Sequence, residues 1–383
     1  MIHKRQAEYG HLGHNSQIFG EKPPFFTVSA YFCPPQVDSF RGIRLAPSGV
    51  HKLCQDGAVK ITALAGGIGG ARFLRGLTQS AKVTREVDVT VIANTGDDIW
   101  VHGVRVCPDL DTVMYTLGGG ISVERGWGRE GETFTAKEEL AIYGVEPTWF
   151  GLGDKDLATH LIRTTSLNAG YPLSEVTQAL CDRWKPGVNL IPMSDQRCET
   201  HVIVDHPETG ARVAMHFQEW WIRYGAKLPA HEFIQVGLDT AQPAPGVIDA
   251  ITNADLIMLP PSNPVVSIGT ILGVPGILDA IRNTTAPVIG LSPIIDNAPV
   301  RGMADACLRA INVETNAAAV ARHYGSRSNG GILDYWLIDQ RDSDSVGKIE
   351  ELGITARAIP LLMTDVDAAG AMANSALDLV LGN

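Results

Sequence analysis

The six cysteines, Cys33, Cys54, Cys107, Cys181, Cys198 and Cys307, include no C-x-x-C pair. Their spacing suits neither a disulfide framework nor a zinc ribbon, so isolated reduced thiols are expected. No apolar run approaches the ~20 residues a membrane span needs, and the N-terminus holds no apolar core of the length a secretory signal requires. Positive charge is also in short supply. Lys and Arg total 31 against 42 Asp and Glu, a formal net charge of −11 at pH 7. A chain this acidic repels polyanions, which disfavours nucleic acid or an anionic membrane as a partner. A small anionic ligand is not excluded, because backbone amides, a few basic side chains or a bound cation can reverse the sign locally. A cytoplasmic chain is expected. Several catalytic signatures are missing as well: no G-x-S-x-G, no H-E-x-x-H and no protein-kinase set.

With 45% hydrophobic and 19% charged residues in 383, the composition is that of an ordinary globular protein. Residues 1–56 read differently from the rest, with scattered prolines and histidines and no sustained hydrophobic period. They are expected to be an N-terminal extension, disordered or not part of the native chain, ahead of a transferase-sized domain at 57–383.

From Val59 onward strands and helices alternate. Residues 59–65 form a short apolar, β-branched run that reads as a buried strand. A glycine cluster at 66–70 breaks it, and Phe73, Leu74 and Leu77 then fall on one helical face. A second strand is expected at 87–93, completing a right-handed βαβ unit. Further strands are expected at 255–259, 287–291, 336–339 and 354–359, with helices at 269–282 and 346–352. Such alternation predicts an α/β fold: a doubly wound, mostly parallel, Rossmann-like sheet. Residues 120–245 carry helical patterns at 133–143 and 154–184 and an antiparallel pair at 201–205 and 212–217. They read as an inserted, mainly helical capping region.

Four loops carry candidate chemistry. Gly66, Gly67, Gly69 and Gly70 lie where a strand gives way to a helix, a place where backbone N–H groups meet phosphate. The dinucleotide fingerprint fails, because its third glycine position is Arg72, and no G-K-[ST] follows. Asn94-Thr95-Gly96-Asp97-Asp98 follows the second strand, and Pro108-Asp109-Leu110-Asp111 comes soon after. These four carboxylates, bracketing His102, have the hard-oxygen chemistry of a Mg²⁺–phosphate site; taken singly, Asp109 or Asp111 could instead cap a helix at 112–117. The segment Gly153-Asp154-Lys155-Asp156, with Thr159, His160 and Arg163 beyond it, is either a ligand-facing or a solvated helix start. Ser262-Asn263-Pro264 closes the strand at 255–259 with donors fit for a nucleotide, or forms a plain proline turn. The pair Trp220-Trp221 offers either core packing or a stacking wall for a planar ring.

Taken in order, AGGIGGARFL, ANTGDD, PDLDTVMY, GLGDKDLATH, IPMSD, HFQEW, PPSNPVVSI and SPIIDNAPV resemble the 2-phospho-L-lactate transferase family of coenzyme F420 biosynthesis, and in particular its actinobacterial phosphoenolpyruvate-transferring branch. The resemblance runs from about residue 59 to the C-terminus. It implies an enzyme that transfers a phosphoenolpyruvyl or 2-phospholactyl group from a guanosine diphosphate-activated donor to the ribityl hydroxyl of the deazaflavin Fo, releasing GMP, with Mg²⁺ as cofactor and a homodimeric assembly. It places Asp111 and Lys155 at acceptor-contacting positions, together with Asn94 and Thr95. The glycine loop and Ser262, Asn263 and Pro264 fall at donor-nucleotide positions. Asp97, Asp109 and Asp111 are the candidate metal ligands, with Asp111 and Asp109 the candidate catalytic groups. The alternative is a non-enzymatic, nucleotide-sugar-binding regulator of the gluconeogenesis-factor type; that family resembles G-G-G-T-G at the loop and lacks the P-D-L-D-T and G-D-K-D motifs present here.

Overall fold

The computed structural model describes residues 57–382. The expectations for residues 1–56, with Cys33 and Cys54, lie outside this range.

Fourteen strands are present among the described residues. β1 (Val59–Ala65), β2 (Val87–Ala93), β5 (Asn189–Pro192), β9 (Leu256–Leu259), β10 (Val288–Leu291), β13 (Tyr335–Asp339) and β14 (Thr355–Ile359) make one sheet in the order β14-β13-β10-β9-β1-β2-β5. Every pairing in it is parallel, more uniform than the mostly parallel sheet expected. The remaining strands are short or peripheral. β3 (Ile99–Val101) and β4 (Val104–Val106) form a hairpin, β6 (Glu199–Asp205) pairs antiparallel with both β7 (Arg212–His216) and β8 (Glu232–Val236), and β11 (Ile294–Ile295) pairs with β12 (Ala298–Pro299).

The sheet is buried on both faces because its strands are apolar at successive positions. Leu256 and Met258 join Ala63, Val91 and Ile289 in one core, whereas Ile257 and Leu259 join Leu64, Ile92 and Val288 in the other. Alternate residues of a strand point to opposite faces, so continuous apolar runs require two covering layers. Strand order reverses at the β1/β9 boundary. In open α/β sheets the crevice beyond the strand tips at such a reversal is where ligands bind.

Helix α1 (Gly67–Gln79) starts inside the glycine cluster, four residues earlier than the apolar pattern alone marks it. It is seated by glycine contact: a Cβ on Gly76 would fall 2.5 Å from Ala369 of the C-terminal helix Val366–Leu381. Helix α2 (Pro108–Leu117) likewise begins before the expected 112, with Pro108 in its first turn, where a missing N–H costs nothing. Neither Asp109 nor Asp111 caps it, since Cys107 holds the N-cap position.

The segment 120–245 contains α3 (Thr135–Ile142), α4 (Asp154–Asn168) and α5 (Leu173–Trp184). The helical pattern expected at 154–184 forms two helices, separated at Gly170-Tyr171-Pro172, where Gly170 takes φ +91°. The segment is not purely a cap, because its β5 pairs with β2 as the edge strand of the main sheet. Periodicity alone could not show this, since β5 is only four residues long. The helix expected at 269–282 is also interrupted, at Val274-Pro275-Gly276. Among the described residues no single helix is long and apolar enough to cross a membrane.

Candidate functional site

A cavity of about 440 Å³ opens over the tips of β1 and β9. Its floor is the turn after β1. Gly67 there has φ +65°, a conformation glycine adopts without Cβ strain. The approach of chain to chain is close: a Cβ on Gly69 would lie 2.3 Å from the carbonyl oxygen of Pro261, and one on Gly70 would lie 2.7 Å from Ser262 Oγ. Ser262 joins the two loops, since Gly66 N–H donates to its Oγ at 3.2 Å and its hydroxyl donates to Gly66 O at 2.9 Å. Asn263 turns inward to cap its own helical turn, Oδ1 accepting the N–H groups of Val265 (2.9 Å) and Val266 (3.2 Å). Both residues line the cavity; Pro264 and Gly70 stand behind the wall.

Asp109 is the centre of the polar half. Its Oδ1 accepts Gly67 N–H at 2.7 Å, and its Oδ2 accepts Asn94 Nδ2 at 2.9 Å. Asn94 is fully buried; its Nδ2 also reaches Val266 O at 3.2 Å, and its Oδ1 accepts Gly96 N–H at 2.9 Å. Asn94 therefore ties the tips of β1, β2 and β9 together through Asp109, and it does not face the cavity as an acceptor-binding group would. Thr95 is buried with its hydroxyl unpartnered, also away from the wall.

Asp97 lines the same cavity and is 6% exposed, yet its Oδ1 has no hydrogen-bond partner. Burial, then the neighbouring Asp109 carboxylate, hold its pKa well above the ordinary value. Burial also pushes Asp109 up to about 6, against the opposing hydrogen bonds from Asn94 and Gly67. Two buried carboxylates without a counter-charge call for a cation.

The other two acids of the cluster behave differently. Asp98 is buried against Arg105, whose Nη2 lies 2.8 Å from Oδ2; burial raises its pKa and Arg105 partly offsets the rise. Asp111 is clasped by the buried Arg163 through both guanidinium nitrogens, with His160 Nδ1 3.7 Å from Oδ2. The sequence leaves His160 and Arg163 open between a ligand-facing and a solvated position. They face neither; both are buried and hold Asp111. All three expected metal ligands, Asp97, Asp109 and Asp111, line the cavity; Arg163 already matches the charge of Asp111, whereas no cationic side chain among the described residues pairs with Asp97 or Asp109. No group of three His, Cys, Asp or Glu side chains among the described residues is spaced to hold a metal. The unpartnered Asp97 Oδ1 and the uncompensated Asp109 nevertheless fit Mg²⁺, which commonly takes one or two carboxylates and completes its shell with water and substrate phosphate.

Lys155 is exposed and donates from Nζ to Glu130 O at 3.1 Å, outside the cavity wall. Its neighbour Asp156 is the one that lines the cavity, accepting Tyr115 O–H at 2.6 Å with His160 Nε2 3.4 Å behind it. Burial would raise the Asp156 pKa, but the His160 and Tyr115 contacts outweigh it and lower it. Of the tryptophan pair, Trp220 is core and donates Nε1–H to Leu228 O at 2.8 Å, while Trp221 lines the cavity. Trp127, Phe150, Arg72 and Arg301 also line the wall, and no sequence motif marks them as site residues. Arg72 is the residue that breaks the dinucleotide fingerprint, and its place two residues after Gly70 is the signal the sequence offers.

This arrangement joins a carboxylate pole, a glycine turn and an aromatic wall at one topological switch point. Residues 61–360 match the family described as 2-phospho-L-lactate transferase CofD. The chain belongs to that family. It is 61% identical over 321 residues to the phosphoenolpyruvate transferase of Streptomyces coelicolor, covering 84% of this chain and 98% of that protein. Similarity to the phosphoenolpyruvate transferase of Nocardia farcinica is 60% over 321 residues, covering 84% and 94%. Among solved structures, a upf0052-family protein from Bacillus halodurans aligns with TM-score 0.53 at 18% identity, covering 84% of this chain and 99% of that one. At that identity the likeness concerns the fold alone.

Proposed function

We propose that this chain is a Mg²⁺-dependent transferase that moves a phosphoenolpyruvyl, or 2-phospholactyl, group from a guanosine diphosphate-activated donor to the ribityl hydroxyl of Fo. The products are GMP and dehydro-F420-0, or F420-0. The observation that carries this reading is the pair of buried, uncompensated carboxylates, Asp97 and Asp109, beside the glycine turn at the β1/β9 switch point. The names of the relatives, which specify a transferred phosphoenolpyruvate, supply the C3 acid.

In this reaction the acceptor oxygen forms a bond to the phosphorus bearing the C3 acid. The bond from that phosphorus to the bridging oxygen breaks, GMP leaves with the electron pair, and the hydroxyl proton is lost. Such transfers depend on positioning and on stabilising charge. Asp97 and Asp109 would hold the cation, which when bound neutralises diphosphate charge. The first turn of α1 presents N–H groups without intrahelical acceptors to the same place. Gly66 and Gly67 already donate to Ser262 and Asp109, so the later amides of that turn are the ones left for phosphate. Trp127, Phe150 and Trp221 give a planar ring an apolar wall. Asp156, held by Tyr115, offers the acceptor hydroxyl a carboxylate oxygen within the same cavity.

The test is incubation of the purified protein with Fo, Mg²⁺ and each guanosine diphosphate-linked donor. GMP release with formation of a more acidic deazaflavin is expected. Intact substrates after prolonged incubation with folded protein would overturn the assignment.

A further inference from the structure

The wall of the cavity carries acidic groups and two arginines, and the charges do not all cancel. Asp111 is matched by Arg163, and Asp156 is held by Tyr115 and His160. Asp97 and Asp109 call for a cation. That leaves Arg72, from the second turn of α1, and Arg301, from the loop after β12, both on the cavity wall. Neither makes an ion pair among the described residues. Among the described residues, Arg301 Nη2 donates to Arg125 O at 3.3 Å as its single side-chain hydrogen bond, and the Arg72 side chain makes none. The two guanidiniums are close enough to repel, for partial burial and then the charge of Arg301 lower the pKa of Arg72. Two like charges held over one cavity without a carboxylate between them are unfavourable until an anion arrives.

We infer that Arg72 and Arg301 form the subsite for the carboxylate of the donor's C3 acid. The inference rests on the transferase reading above and extends it to the group that distinguishes the donor from a plain nucleoside diphosphate. A diphosphate finds its counter-charges in the cation and amides at the Asp97/Asp109 pole. A carboxylate would be repelled by Asp97 and Asp109, and it has a planar pair of oxygens that matches the guanidinium fork. The two poles of the cavity thus sort the two kinds of anion on one donor, phosphate toward the glycine turn and carboxylate toward the arginines. Fixing the carboxylate also fixes the rotation of the C3 acid about its phosphate ester, and so the face of phosphorus presented to the acceptor.

The experiment compares two probes, GDP and the lactyl-linked guanosine diphosphate donor, by calorimetry with Mg²⁺. The proteins are wild type, Arg72→Gln, Arg301→Gln and the double variant. Both side chains are exposed, so folding is expected to survive, and Arg72→Lys and Arg301→Lys serve as charge-retaining controls. GDP affinity should stay within about twofold throughout, while donor affinity falls about 10- to 100-fold in each Gln variant, the loss of a charge-assisted contact. The Lys variants should recover part of it. Equal weakening of GDP and donor would place the arginines on the diphosphate and overturn the inference, as would unchanged donor affinity in the double variant. Wild-type protein that binds GDP but not the donor would instead remove the transferase reading, and this inference with it.

Discussion

Gly67 donates its backbone N–H to Asp109 Oδ1 at 2.7 Å, joining residues 42 apart in the chain. The contact links the turn after β1 to the first turn of α2 and leaves Asp109 facing the cavity with its second oxygen on Asn94. One carboxylate therefore serves as latch and as candidate cation ligand. The consequences of the two roles separate experimentally.

Asp97 has an unpartnered oxygen and a raised pKa, so the metal-free protein should gain stability when its charge is removed. Asp97→Asn is expected to raise the melting temperature in EDTA by a few degrees, equivalent to about 1 kcal/mol or more. Wild-type protein should be stabilised by added MgCl₂, and the variant much less. Thermal denaturation with and without Mg²⁺ checks both. An equal Mg²⁺ response in the two proteins would take Asp97 out of the cation site.

Asp109 gives the metal-free protein a definite pH dependence. Its folded pKa, about 6, lies above the ordinary 3.8. The folded state consequently binds more protons between those values, and stability falls as pH rises through that window. The loss of stability spans about 3 kcal/mol; none of it has occurred below pH ~4 and most of it has by pH ~6. In EDTA, urea midpoints should therefore increase from pH 7 to pH 5.5. Asp109→Asn should flatten the part due to this group, leaving the same-signed contribution of Asp97. A midpoint that rises with pH over this range would contradict the assignment.

Asp111 and Arg163 are a buried pair, and removing one member strands the other. Asp111→Ala should cost about 3–5 kcal/mol in stability, so lost turnover in that variant does not by itself make Asp111 catalytic. The double variant Asp111→Asn, Arg163→Met should recover much of the stability. Measuring its turnover then isolates chemistry from folding. Activity restored along with stability would mark the pair as structural support for the cavity wall.

Gly69 meets the carbonyl oxygen of Pro261, so Gly69→Ala must push α1 from the loop after β9. The expected cost is about 1–3 kcal/mol of stability, together with a raised KM for the nucleotide donor, because both walls of the turn move. Gly119→Ala, at φ +73° and in open space, is the control for backbone strain without contact. It should leave KM unchanged while losing comparable stability.

Much of this protein could be read from order along the chain. The alternation of apolar runs and helical faces after Val59 determines the parallel, doubly wound sheet, because buried parallel strands need apolar residues on both faces. The motifs around Gly66–Gly70, Asp97, Asp109 and Ser262 mark the strand tips that meet at the switch point, and they carry the family resemblance. Strand β5 was hidden, since four residues show no period and its place beside β2 is set by packing. The roles within the acidic cluster were hidden too. Four aspartates look alike in sequence, and only the fold decides that Asp98 meets Arg105, that Asp111 meets Arg163 and that Asp97 and Asp109 meet no cationic side chain among the described residues. Charge pairing depends on distances of a few ångströms between segments far apart in the chain. Those distances belong to the packed structure, and they separate the carboxylates that support the cavity from those that can hold its cation.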